Sequence, residues 1–130
     1  MIHSQTSLNV LDNSGAKKVK CVQLLGNGPP SHACPGDTVV VSIRKVSSKN
    51  VSSPSKRVKV TRGGLHYAVL VRSTKENHSE TGTWTRFGDN AVVLVNEAGS
   101  PYGTRVRGPI SGELRSRNRM KIMSLTYETP

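Results

Sequence analysis

The chain has 130 residues, a net charge of +11 at pH 7 from 19 Lys and Arg against eight acids, and only two cysteines. That length predicts one domain, spanning 1–130, large enough to bury a core without staples. The cysteine count excludes a disulfide framework, no stretch is apolar enough for a membrane partner, and a pI near 10.3 makes a polyanion the expected partner.

In chain order, residues 8–11 (LNVL) form a short apolar strand that ends at the turn DNSG. Residues 18–25 (KVKCVQLL) alternate, with Val19, Cys21 and Gln23 on one face. After GNGPPS and the tight turn CPGD, residues 38–46 (TVVVSIRKV) begin as a β-branched strand and become basic at Arg44 and Lys45. Residues 47–56 are serine-rich and read as a hairpin tip or loop; RVKV and RGG follow. Residues 65–73 are the strongest strand, and 75–83 a polar loop. Residues 83–87, 91–96 and 121–127 are three further strands, with a short helix at 111–118 capped by Ser111. Val40, Ile43, Val69, Val71, Val92 and Leu94 are the expected core. Short strands with Gly and Pro turns predict an all-β sandwich or barrel, and closure favours the barrel because it removes exposed edges. The chain reads as beginning directly with this domain, without a secretory signal or transit peptide.

No catalytic constellation is visible. The histidines are scattered, no serine sits in a nucleophile elbow, and GNG leads into prolines where a dinucleotide fingerprint needs a helix. His32 and Cys34 are two apart with no second ligand pair, so neither a metal nor a cofactor is expected. The basic residues, by contrast, come in blocks. Lys17, Lys18 and Lys20 follow the first turn; Arg44, Lys45, Lys49, Lys56, Arg57, Lys59 and Arg62 run without an acid; Arg105, Arg107, Arg115, Arg117, Arg119 and Lys121 surround a single Glu113. Blocks of this kind fit phosphates. The five aromatics (Tyr67, Trp84, Phe87, Tyr102, Tyr127) are expected to be mostly structural, which leaves backbone and shape recognition of folded RNA. A free-standing polyanion- or RNA-binding module with no assembly role is the alternative, and an enzyme is not expected.

LNVLDNSGAKKVKCVQLLG (8–26), AVLVRS (68–73), RFGDNAVVLVN (86–96) and GTRVRGPISGELRSRNRMKIMSLT (103–126) resemble the universal large-subunit ribosomal protein fourteen in its bacterial and organellar form. The likeness runs in order along most of the chain. It departs at Thr81 before Gly82 and at residues 46–64, which are longer and richer in serine than is usual. The resemblance implies a closed five-stranded β-barrel over about 1–108 with a protruding ribbon at about 44–62. It also implies short C-terminal helical turns, which with the final strand occupy about 109–130. It implies a structural role in the large subunit and contact with large-subunit rRNA, neighbouring ribosomal proteins, small-subunit rRNA through an intersubunit bridge, and a ribosomal silencing factor.

On this basis Lys17, Lys18, Lys20, Arg44, Lys45, Lys56, Arg57, Lys59, Arg107, Arg115, Arg117 and Arg119 are the expected rRNA contacts. Thr104, Arg105 and Lys121 are the expected contacts to the other subunit or the factor. Within the helix, Arg115 and Arg119 would share one side and Arg117 and Lys121 another, if the turn continues that far. The extended hairpin points to a mitochondrial ribosome, with a bacterial cytoplasm or a plastid as the other settings.

Overall fold

The computed structural model describes residues 2–25, 32–46 and 60–126. Five strands close into a barrel in the order β1 (Ser7–Val10), β2 (Ala16–Leu24), β3 (Thr38–Val46), β4 (Leu65–Arg72) and β7 (Ala91–Val95). All neighbours are antiparallel except β1 and β7, which close the barrel in parallel through Asn9↔Ala91 and Val10↔Val92. A two-stranded hairpin, β5 (Asn77–His78) with β6 (Trp84–Thr85), lies outside the barrel. Two single-turn helices follow, α1 (Glu113–Ser116) and α2 (Met120–Met123). The expected ribbon at 44–62 falls largely on residues outside those described.

Alternation explains two cores. Ala68, Leu70, Val92 and Leu94 point into the barrel, where they meet Leu8, Val19, Cys21, Val39, Val41 and Ile43. Val69, Val71, Val93 and Val95 point out of it, and they too are buried, under Val106, Ile110, Leu114, Ile122 and Met123 of the C-terminal segment. Strands covered on both faces must be apolar throughout, which is why AVVLV shows no period of two. Five of the six expected core residues are buried, but on two different sides of the sheet: Val69 and Val71 belong to the outer core.

Several expectations are corrected. Val40 is only half-buried, because β3 turns Val39, Val41 and Ile43 inward and a period of two cannot place Val40 beside Ile43. Gln23 is exposed because a bulge between Cys21 and Gln23 shifts the register. Part of the polar loop at 75–83 is strand β5, and the strand expected at 83–87 is only Trp84–Thr85. Residues 121–126 are not a strand: the barrel is already closed and offers no edge, so Ile122 and Met123 cap its outer face from a helical turn. The helix expected at 111–118 is a single turn with Gly112 at its cap; Ser111 is buried and its Oγ only distantly accepts the Glu113 N–H, at 3.4 Å.

Barrel closure depends on Asp12. In the parallel ladder Asn9 N–H donates to Asn90 O and Leu11 N–H to Val92 O, so the next rung would join Leu94 N–H to Leu11 O. The Asp12 carboxylate takes that rung instead, with Oδ2 accepting Leu94 N–H at 3.1 Å. Its Oδ1 accepts the Ser14 hydroxyl at 2.6 Å and the Ser14 N–H at 3.3 Å. The freed Leu11 carbonyl accepts Arg107 N–H at 3.1 Å, which joins the C-terminal segment to the barrel. Burial pushes the Asp12 carboxyl above its ordinary value, while the bonds from Ser14 and Leu94 pull it back.

Two outcomes follow from this packing. Asp12→Ala leaves the buried Leu94 N–H without its acceptor and should lower unfolding stability by about 1–3 kcal/mol in urea titrations. Val71→Asp places a carboxylate between two apolar layers and should abolish the cooperative transition altogether; a soluble variant with a wild-type midpoint would refute the outer-core assignment.

Candidate nucleic-acid interface

The first two basic blocks converge on adjoining strands. Lys17 and Lys18 are both exposed, although successive strand residues should face opposite ways. Register shifts on either side of Lys18 are the cause: the bulged strand turns two consecutive side chains outward. Lys20, partly buried, lies opposite Ser42, and Lys18 lies directly opposite Lys45. Arg44 and Lys45 end β3 and are both exposed. On the other side of β2 stand the polar Asn9 and Ser7, opposite Lys18 and Lys20. The result is a ledge of five positive side chains in which like charges face one another across a strand pair. Among the described residues no carboxylate pairs with any of the five. Lys56, Arg57 and Lys59 lie outside the described residues.

The third block behaves differently. Arg107 and Arg115 are exposed, but Arg117 forms an ion pair with Asp37 and Arg119 donates from Nη2 to Thr38 Oγ1 at 2.6 Å. Both arginines therefore tie the C-terminal segment to the turn that enters β3. The turn is shaped to receive them. Gly36 has φ +97°, and a Cβ there would lie 2.7 Å from Arg117 Cγ, so only glycine fits. Because Arg117 is about half exposed, its pair contributes about 0.2–1 kcal/mol. The helical row expected for Arg115 and Arg119 does not form: α1 ends at Ser116, Asn118 takes φ +59°, and the helical turn restarts at Met120.

Thr104, Arg105 and Lys121 are all exposed. Asn13, in the first turn, fixes the first two: its Oδ1 accepts Thr104 N–H at 2.8 Å and Arg105 N–H at 3.3 Å, and its Nδ2 donates to Thr104 Oγ1 at 2.9 Å. Gly103 is required by this clamp, since a Cβ would lie 2.6 Å from Asn13 Oδ1 and 2.9 Å from Asp12 Cβ. Lys121 Nζ reaches Ser100 Oγ at 3.2 Å, so α2 and the first turn hold opposite ends of the same 100–105 loop. In the sequence Asn13 had only the signature of a turn residue; its role as a clamp depends on a partner 91 positions away.

Other chemistry is sparse. Burial pushes both thiols, Cys21 and Cys34, above their ordinary values, which disfavours the nucleophilic thiolate. No three His, Cys, Asp or Glu side chains among the described residues gather as a metal site. No described helix is long and apolar enough to cross a membrane. Arg72, partly buried, pairs with Asp89 at 3.2 Å. Of the aromatics, expected to be mostly structural, Trp84 is 65 % exposed on the β5–β6 hairpin.

A family model described as ribosomal protein L14p/L23e matches residues 1–129. The chain therefore belongs to the L14p/L23e family, whose members are structural, non-enzymatic proteins of the large ribosomal subunit.

Proposed function

We propose that this large-subunit protein binds large-subunit rRNA through the β2–β3 ledge and contributes a separate surface to the subunit interface. The observation that carries the first half is Lys18 facing Lys45 across paired strands. Directly opposed like charges destabilise a sheet by a few tenths of a kcal/mol to about 1 kcal/mol. Phosphates reverse the sign of that interaction and release their own counterions when the lysines bind. Lys17, Lys20 and Arg44 extend the same contact. Arg107 and Arg115, exposed on the C-terminal segment, are further rRNA contacts, and so, on the family resemblance, are Lys56, Arg57 and Lys59, which lie outside the described residues. Arg117 and Arg119 keep spare donors for phosphate while anchored at Asp37 and Thr38.

The second half rests on the clamped loop. Thr104, Arg105 and Lys121 are exposed and held at two ends of one short segment, which is distant in sequence from the ledge. Such a braced patch fits the small-subunit rRNA bridge, the silencing factor and adjoining ribosomal proteins as its partners. The serine-rich 46–64 segment favours a mitochondrial ribosome as the setting.

The ledge has a distinctive signature. Lys18→Gln and Lys45→Gln should each leave the isolated protein as stable as before or more so, yet each should flatten the salt dependence of RNA binding by roughly 0.7–0.9 log units per decade. An unchanged slope in the double variant would sink the ledge as an RNA site. For the loop, Arg105→Ala combined with Lys121→Ala should sediment normally with large subunits but impair subunit joining or silencing-factor binding. Loss of incorporation would assign both residues to rRNA anchoring.

A further inference from the structure

A groove of about 510 Å³ opens on the outer face of the barrel, between the end of β7, the start of β3 and the chain that joins α1 to α2. That volume lies within the range of small-molecule sites, roughly 300–1,000 Å³. Tyr67 and Val95, opposite each other on β4 and β7, line it. Two opposite charges line it as well, Arg119 and Glu97, and they do not pair with each other. The charged groups nearby are already engaged: Asp37 holds Arg117, and Lys121 Nζ reaches Ser100 Oγ at 3.2 Å.

Both charges are braced. Arg119 Nη2 donates to Thr38 Oγ1 at 2.6 Å, while its Nε is buried with no acceptor. Arg119 is thus a partly buried cation with no counter-charge among the described residues. Glu97 is carried by a closed turn: Asn96 N–H donates to Ser100 O at 2.9 Å, Gly99 N–H to Asn96 O at 3.0 Å and Ser100 N–H to Asn96 Oδ1 at 2.8 Å. Gly99, at φ +86°, lets that turn come up to the guanidinium, since even a Cβ there would lie only 3.5 Å from Arg119 Nη1. Glu97 itself is exposed and makes no hydrogen bond or ion pair with the described residues.

A cation and a carboxylate that share an aromatic-lined groove without meeting call for a planar group with acceptors on one edge and donors on another. Guanine has this pattern. Its N7 and O6 are adjacent acceptors for a guanidinium, and its N1–H and N2–H are adjacent donors for a carboxylate. Adenine turns an N6–H donor toward the arginine, and a bare phosphate is repelled by Glu97. We propose that this groove takes one unpaired guanosine of the large-subunit rRNA, with its N7/O6 edge on Arg119, its N1–H and N2–H on Glu97 and its ring against Tyr67. The proposal rests on the rRNA-binding reading above and deepens it: the ledge holds phosphates, and the groove reads a base whose Watson–Crick edge is free.

NMR titration of the full chain tests the groove. GMP should saturably shift the amide resonances of Glu97, Gly99 and Arg119, and should bind roughly five- to a hundredfold tighter than AMP, the discrimination expected of one good bidentate pair. The 7-deaza analogue of GMP, which lacks the N7 acceptor, should fall between the two. Glu97→Gln alters an exposed side chain and should bring GMP close to the AMP level while leaving the unfolding midpoint unchanged. In purified large subunits, a photocrosslinking amino acid at position 97 should form its adduct with an unpaired rRNA guanosine. Equal shifts from GMP, AMP and inorganic phosphate, or no shift from any of them, would overturn the proposal. So would an adduct with a protein segment or with a base-paired nucleotide, or no adduct at all. Sedimentation of the labelled chain is scored separately: absence from subunits would refute the ribosomal reading, and the GMP titration would still decide the groove.

Discussion

A single carboxylate replaces a backbone rung where the barrel closes, and much of the rest depends on that exchange. By accepting Leu94 N–H, Asp12 ends the β1–β7 ladder without leaving a buried donor unpaired. It also releases the Leu11 carbonyl to Arg107 N–H. The next residue, Asn13, then holds Thr104 and Arg105. Two adjacent side chains thus close the sheet, dock the C-terminal segment and fix the loop proposed for the subunit interface. The cost is a charged group taken out of water, which appears as the upward shift of its carboxyl.

The two cores separate stability from charge. Because β4 and β7 are covered on both faces, the C-terminal segment must lie along the outside of the barrel and cannot project from it. Ile110, Leu114 and Ile122 secure it there, each fully buried. Its arginines are consequently held close to the barrel surface, and two of them find partners on the turn before β3. β2 and β3 contribute nothing to that second core, and their basic ends face outward as the ledge. Among the described strands, the Lys and Arg side chains without an ion pair are on these two.

The strands of the barrel were legible because β-branched runs separated by Gly, Pro and Asn have few other solutions in a chain this short. What was not legible is whatever depends on register or closure. Lys17 and Lys18 face the same way only because of a bulge, which leaves no compositional trace. Residues 121–126 have a strand's composition, and only the completed barrel denies them an edge. Val40 was misplaced by one position within a run of three valines, where alternation has nothing polar to mark its phase. The basic residues of the candidate site were visible as blocks, yet their division into free and internally paired groups needed the turn at Gly36 and Asp37 to be placed beside Arg117.

The broken helix at the C-terminus illustrates how packing overrules local preference. An uninterrupted helix from 111 to 123 would carry Leu114 and Ile122 about 80° apart around its axis, at roughly 100° per residue, and would send Met123 further still. The outer face of the barrel is a curved sheet that needs Leu114, Ile122 and Met123 all against it. A left-handed Asn118 between two single turns redirects the chain so that all three are buried. Asn is among the few non-glycine residues that take this conformation at low cost. The same kink separates Arg115 from Arg119, leaving one exposed and the other bonded to Thr38. The distribution of arginines at this end of the protein is therefore set by how an apolar stripe meets a curved sheet.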